Sequence, residues 1–156
     1  MYVPAHFKED RVDVLHAFMR ATRLATLVSM TADGMIASHA PLLLDPEPAP
    51  YGTLVGHLAK ANPHARSSDP AVQTLVIFQG VDGYITPSYY PTKQQHGKVV
   101  PTWNYTAVHA YGTLEVFDDP DRLLGVVTRL TQLHEAPRSL PWARCSTRTS
   151  SSSRPP

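Results

Sequence analysis

The sequence predicts a mainly β domain with flanking helices, folded as a small closed or half-closed antiparallel barrel, and three observations predict it. Short runs of Val, Leu, Ile, Thr and Tyr recur between residues 24 and 117, punctuated by Gly, Pro, Asn and Asp turn signals. A helical run stands at each end of this β region, and no long helical pattern interrupts it. The 156 residues, 42% of them hydrophobic, fit a single core, since roughly 100 to 200 residues make one domain.

Residues 9–22 read as the first helix. Val12, Leu15 and Met19 recur at helical steps, while Glu9, Asp10 and Asp13 place negative charge in its first turn. Residues 24–30 and 35–44 then form a β-hairpin around Thr31-Ala32-Asp33-Gly34. Residues 45–52 carry three prolines without amide donors and make a surface loop. Residues 53–58 are strand-like, and residues 59–66 a turn and short helix with Pro63 at its first position. A second hairpin is expected from residues 72–79 and 84–86 around Gly80-Val81-Asp82-Gly83. Residues 87–97 form a long loop rich in aromatics. Residues 98–108 and 110–117 resume the β pattern, for about six or seven strands in all. Asp118-Asp119-Pro120-Asp121 opens the closing helix, which Leu123, Leu124, Val127, Leu130 and His134 continue. From residue 144 the Ser/Arg/Pro-rich chain loses apolar periodicity and is expected to be disordered.

Charge and composition exclude several function classes. Residues 1–137 carry ten Lys/Arg and thirteen Asp/Glu, while residues 138–156 carry four Arg and no acid. The folded part is therefore mildly acidic, unlike a surface that tracks phosphate backbones. The two helices are separated by the whole β region, so no helix-turn-helix can form and no direct nucleic-acid element is seen. No run approaches the ~18 apolar residues of a membrane span. The N-terminus lacks a signal-peptide pattern and the single cysteine can make no internal disulfide, so a cytoplasmic location is expected. No nucleophile elbow, P-loop or Gly-x-Gly-x-x-Gly is present, and the eight histidines show no metal-ligand spacing.

Polar groups gather at the strand ends, in Ser38-His39-Ala40-Pro41, in residues 56–63, in Tyr89-Tyr90-Pro91 and in residues 100–105. Lys60, His57 and backbone donors can hold a phosphate where the third strand turns into a helix. A flat ring can lie against Trp103 or Tyr105. The same residues also read structurally, His57 as a strand-end histidine, Asn62-Pro63 as a plain turn and Trp103 as core. The residues alone leave both readings open.

Six segments taken together resemble the PaiB family of FMN-binding split-barrel proteins, described as negative transcriptional regulators of sporulation and protease synthesis. They are Met1-Tyr2-Val3-Pro4-Ala5-His6-Phe7, His39-Ala40-Pro41-Leu42, Gly56-His57-Leu58-Ala59-Lys60-Ala61-Asn62-Pro63, Phe78-Gln79-Gly80, Tyr84-Ile85-Thr86-Pro87-Ser88-Tyr89-Tyr90 and Val100-Pro101-Thr102-Trp103-Asn104-Tyr105-Thr106-Ala107-Val108-His109. Each is weak alone, but their order over residues 1–143 is specific. The resemblance implies a Greek-key split barrel that forms a homodimer and binds FMN near the subunit interface. It places the phosphate at Ser38, His39, His57, Lys60 and Asn62. It places the ring against Trp103 and Tyr105, from the same chain or its partner.

Two departures stand out. Tyr89 replaces a Trp that the family commonly shows before Tyr-Pro. After Leu140-Pro141-Trp142-Ala143 the family continues into another helix and an apolar strand, whereas residues 144–156 are Arg/Ser/Thr/Pro-rich. The hypothesis is a frameshift or truncated reading, which sequencing the locus tests. A native tail would leave apolar surface uncovered. The first functional expectation is thus a PaiB-like FMN-binding regulator acting indirectly on transcription. The alternative is an FMN-dependent oxidoreductase of the pyridoxamine-phosphate-oxidase or flavin-reductase type. A haem protein with His96 or His109 as ligand and a non-functional fragment are further readings.

Overall fold

A computed structural model describes residues 1–136. The expected domain boundary at residue 143 and the tail 144–156 lie outside the described residues. The elements run α1 (Val12–Ala21), β1 (Leu24–Thr31), β2 (Gly34–Asp45), β3 (Thr53–Gly56), α2 (His64–Ser67), β4 (Thr74–Ile85), α3 (Pro91–His96), β5 (Thr102–Gly112) and α4 (Pro120–Glu135). All four strand pairings are antiparallel, in the spatial order β3-β2-β1-β4-β5. Three hairpin-linked strands with the fourth returning beside the first make a Greek key. Edge strands β3 and β5 do not pair with each other, so the barrel stays split.

Strand β2 changes partner midway. It pairs with β1 as far as Pro41 and with β3 from Leu42 to Asp45. Pro41 has no amide hydrogen and stands at this switch, where a ladder can spare a donor. The run Leu42-Leu43-Leu44 beyond it serves two cores by strand alternation. Leu42 and Leu44 join Met19, Ala25, Leu27, Ala40, Val76 and Phe78, while Leu43 packs with Val126 and Leu130 of α4. The amphipathic α1 supplies Phe18 and Met19 to the first cluster. Helix α4 is capped by Asp119, whose carboxylate accepts the Arg122 amide at 2.7 Å, and is tied to the end of β2 by the Arg129–Asp45 ion pair.

The strand count corrects the expectation: among the described residues there are five strands, not six or seven. The expected second hairpin does not form, because residues 80–83 lie inside the continuous β4. Gln79 pairs with Ala107 and Asp82 with Tyr105, so Gly80 and Val81 together oppose the single Thr106. That is a β-bulge. A Cβ on Gly80 would fall 2.8 Å from the Phe18 ring, so glycine there lets α1 seat on the sheet. The two strands expected from residues 98–117 are one strand, β5, laddered to β4 from Thr102 to Gly112. β3 ends at Gly56, two residues earlier than expected. Helix α1 starts at Val12 rather than at residue 9, because the Glu9 carboxylate binds the Arg11 amide and guanidinium just ahead of it. Those hydrogen bonds hold the Glu9 carboxyl down at about 2.

The proline loop closes on Gly52, whose φ of +77° lies in the left-handed region and whose added Cβ would run into the Asp45 carbonyl. Gly52→Ala is expected to lower stability by about 1–3 kcal/mol, read as a shift in the urea midpoint. An unchanged midpoint would contradict this.

Candidate functional site

Alternation along the strands builds the site. On the inner face of the sheet, Leu27 of β1, Ala40 of β2 and Thr74 and Val76 of β4 stand beside Met19 of α1 and floor a cleft of about 1210 Å³. One wall is β3 and the chain that follows it, through Lys60 to Arg66; the other is residues 110–118 and the start of α4. The floor is apolar apart from Thr74. At the rim, His57, Lys60 and Arg66 are exposed, and their side chains have no hydrogen-bond or ion-pair partner among the described residues. The other cations on the cleft are neutralised, Arg122 by Glu115 at 3.4 Å and Arg129 by Asp45. An anion therefore meets its free positive charge at the β3–α2 end.

The structure brings three of the sequence-predicted residues, His57, Lys60 and Asn62, into this cleft. Ser38 lies buried behind them, its Oγ accepting from Asn62 Nδ2 at 3.0 Å and bonded to His64 Nδ1 at 3.0 Å. His39, one residue on, points to the opposite face of the strand; it is exposed, bonded to Thr26 Oγ1 at 2.9 Å, and does not line the cleft. Trp103 and Tyr105 lie on β5 beyond the bulge and also lie outside it. Both are exposed, and the Trp103 ring meets that of Tyr84 edge-on at 6.0 Å. Of the haem-reading histidines, His96 is in α3, where it accepts the Lys98 amide, and His109 is on β5 opposite Ile77. No group of three or more metal-ligating side chains converges among the described residues.

Two residues escaped the sequence reading. Arg66 completes the basic rim from the α2 segment. His64, fully buried, joins three strands: its Nε2 bonds Ser29 Oγ at 2.8 Å, and Ser29 bonds Thr74 Oγ1 at 2.7 Å. The Asn62 side chain accepts the His64 amide at 2.9 Å, and Asn62-Pro63-His64 held this Asx-turn signal. Burial pushes the His64 pKa below its ordinary 6.5. Burial, and then the N-terminal ammonium, do the same for His109. Both shifts favour the neutral ring in the fold. As pH falls below about 6.5 the unfolded chain takes up protons that the native chain refuses. Stability is therefore full above that pH and declines toward the lower native values. Urea midpoints at pH 7.5 and 5.5 test this; a higher midpoint at 5.5 would contradict it.

A family model described as "Putative FMN-binding domain" matches residues 1–152. The chain belongs to this family. Among its relatives it is 33% identical to the yeast (Saccharomyces cerevisiae) protein "Uncharacterized protein YKL070W", with 88% of this chain and 92% of that one aligned. It is also 33% identical to "Protease synthase and sporulation protein PAI 2" of Bacillus subtilis, over 90% of this chain but only 65% of that protein's length. A solved structure, the FAD and heme binding protein from Mycobacterium smegmatis, superposes with a TM-score of 0.56 at 18% identity, covering 88% of this chain and 61% of that one. At that identity the likeness speaks for the fold, a mainly β split barrel with flanking helices. Among the described residues no helix is long and apolar enough to cross a membrane.

Proposed function

We propose that this chain is a PaiB-like FMN-binding protein of the cytoplasm, whose cleft holds the flavin phosphate at His57, Lys60 and Arg66. The single observation that carries this reading is the set of three unpartnered basic side chains at one end of an apolar-floored cleft. The donor chemistry fits the group: a phosphate dianion wants charge-assisted donors, and a flat apolar ring wants a floor like Leu27, Val76 and Met19. Asn62 and Ser38 hold the rim segment in place rather than meeting the phosphate, since their polar atoms already bond each other and His64. When bound, FMN would supply reversible hydride and electron chemistry. Fluorescence titration tests the reading. Saturable quenching of FMN supports it, and an unquenched flavin over a folded protein would defeat it.

Trp103 and Tyr105, where the family resemblance places the flavin ring, lie outside this chain's own cleft, which supports a homodimer in which the partner supplies them. The ribbon of residues 81–85 and 102–106 extends beyond the bulge with apolar side chains in water, Val81 at 83% and Trp103 at 60% exposure. Sedimentation equilibrium is expected to give twice the 17.2 kDa chain mass, and Val81→Glu with Trp103→Glu to give the monomer. A monomeric parent chain would contradict this.

Regulation of transcription is read as indirect, because the charge of residues 1–137 is net acidic and, among the described residues, no two helices adjoin as a helix-turn-helix. One observation favours the oxidoreductase alternative. The cleft's 1210 Å³ lies above the roughly 300–1,000 Å³ of ordinary small-molecule pockets, as a site for a flavin and a second molecule would. Steady NAD(P)H consumption with FMN present would support the enzyme; flavin binding without turnover would support the regulator.

A further inference from the structure

The buried chain around His64 has a direction, and it can be read by counting hydrogens. Asn62 Oδ1 accepts the His64 amide at 2.9 Å, which fixes the side-chain amide so that Nδ2 donates to Ser38 Oγ. Ser38 is buried, and the acceptor within reach of its own hydrogen among the described residues is His64 Nδ1 at 3.0 Å. Nδ1 therefore carries no proton. The ring proton sits on Nε2 and is donated to Ser29 Oγ at 2.8 Å. Ser29, also buried, passes its hydrogen to Thr74 Oγ1 at 2.7 Å. The hydrogen left over belongs to Thr74, which has no acceptor for it among the described residues and lines the cleft. Either direction leaves one hydroxyl hydrogen without an acceptor among the described residues, that of Thr74 here and that of Ser38 with the opposite ring tautomer, and a charged ring would leave both; only Thr74 lines the cleft, where water or a ligand can accept it. Burial disfavours the charged ring as well.

We propose that Thr74 donates a hydrogen bond into the cleft and selects an occupant whose ring edge carries an acceptor, the sense of that bond being set from Asn62 through His64. Thr74 is only 4% exposed and is surrounded on the floor by Met19, Leu27 and Val76. A lone donor on an apolar floor discriminates strongly, because a ligand without an acceptor leaves the hydroxyl dry and unpaired. The chemical class is a flat heteroaromatic with a carbonyl oxygen or an unprotonated ring nitrogen at its edge. An isoalloxazine has both. Thr74 is thus a specificity residue, and His64 a positioning residue that acts through it.

The ligand part rests on the flavin reading of the cleft; the direction of the chain does not. Two-bond proton–nitrogen spectra of the free, histidine-labelled protein at pH 7.5 are expected to show His64 neutral with its proton on Nε2. A proton on Nδ1, or a charged ring, would overturn the proposal. Thr74→Val is then expected to weaken FMN and riboflavin by the same factor, about 5- to 20-fold, with Thr74→Ser restoring both. Unchanged binding by Thr74→Val, or a loss confined to FMN, would overturn the ring-edge contact. If the parent chain bound neither flavin, the flavin reading would fall, while the tautomer, measured without ligand, would still decide the direction of the chain.

Discussion

Replacing Lys60 and Arg66 together by alanine is expected to weaken FMN by at least about 100-fold, from two charge-assisted contacts of ~1.5–3 kcal/mol each. The basis is local charge accounting. Four cationic side chains line the cleft, and two of them are already committed, Arg122 to Glu115 and Arg129 to Asp45. Among the described residues lining the cleft, only Lys60 and Arg66 offer uncommitted permanent charge to a ligand, with His57 adding donors. The fold should not suffer, since both side chains are exposed and make no hydrogen bond or ion pair among the described residues. Riboflavin, which lacks the phosphate, should bind the double variant and the parent chain alike. An equal loss for both flavins would mean that the two residues shape the cleft rather than hold a phosphate.

The second large effect concerns stability. Phe78→Ala is expected to cost about 3–5 kcal/mol, a large share of the ~5–15 kcal/mol that separates folded from unfolded domains. Phe78 is 1% exposed and belongs to the cluster that joins α1 to β1, β2 and β4. It is also the residue of β4 just before Gln79, where the bulge begins. Its removal would leave a void under α1 at the point where Phe18 leans over Gly80. Urea unfolding is the measure, and a midpoint within experimental error of the parent chain's would contradict the packing described.

How much of this was legible in the sequence depends on how local each feature is. The first hairpin was, because Thr31-Ala32-Asp33-Gly34 and the alternation on both sides specify turn and register together. Residues 80–83 misled, because a glycine bulge and a tight turn share the same residues and only the partner strand distinguishes them. The same ignorance of pairing split β5 in two. In the site, Lys60 and His57 were legible as basic groups after a strand. Ser38 and His39 were grouped as neighbours, yet a strand sends adjacent side chains to opposite faces. His64 was invisible as a hub because its partners come from residues 29, 38 and 74, on three strands whose meeting no local pattern encodes.

The central claim is that the β3–α2 end of the cleft grips a phosphate, and phosphorus NMR of FMN titrated with the parent chain tests it most directly. The account predicts that the phosphate resonance shifts and broadens to saturation together with ring quenching, and that Lys60→Ala with Arg66→Ala returns it to the free position. A phosphate resonance that stays at the free position while the ring is quenched would contradict it.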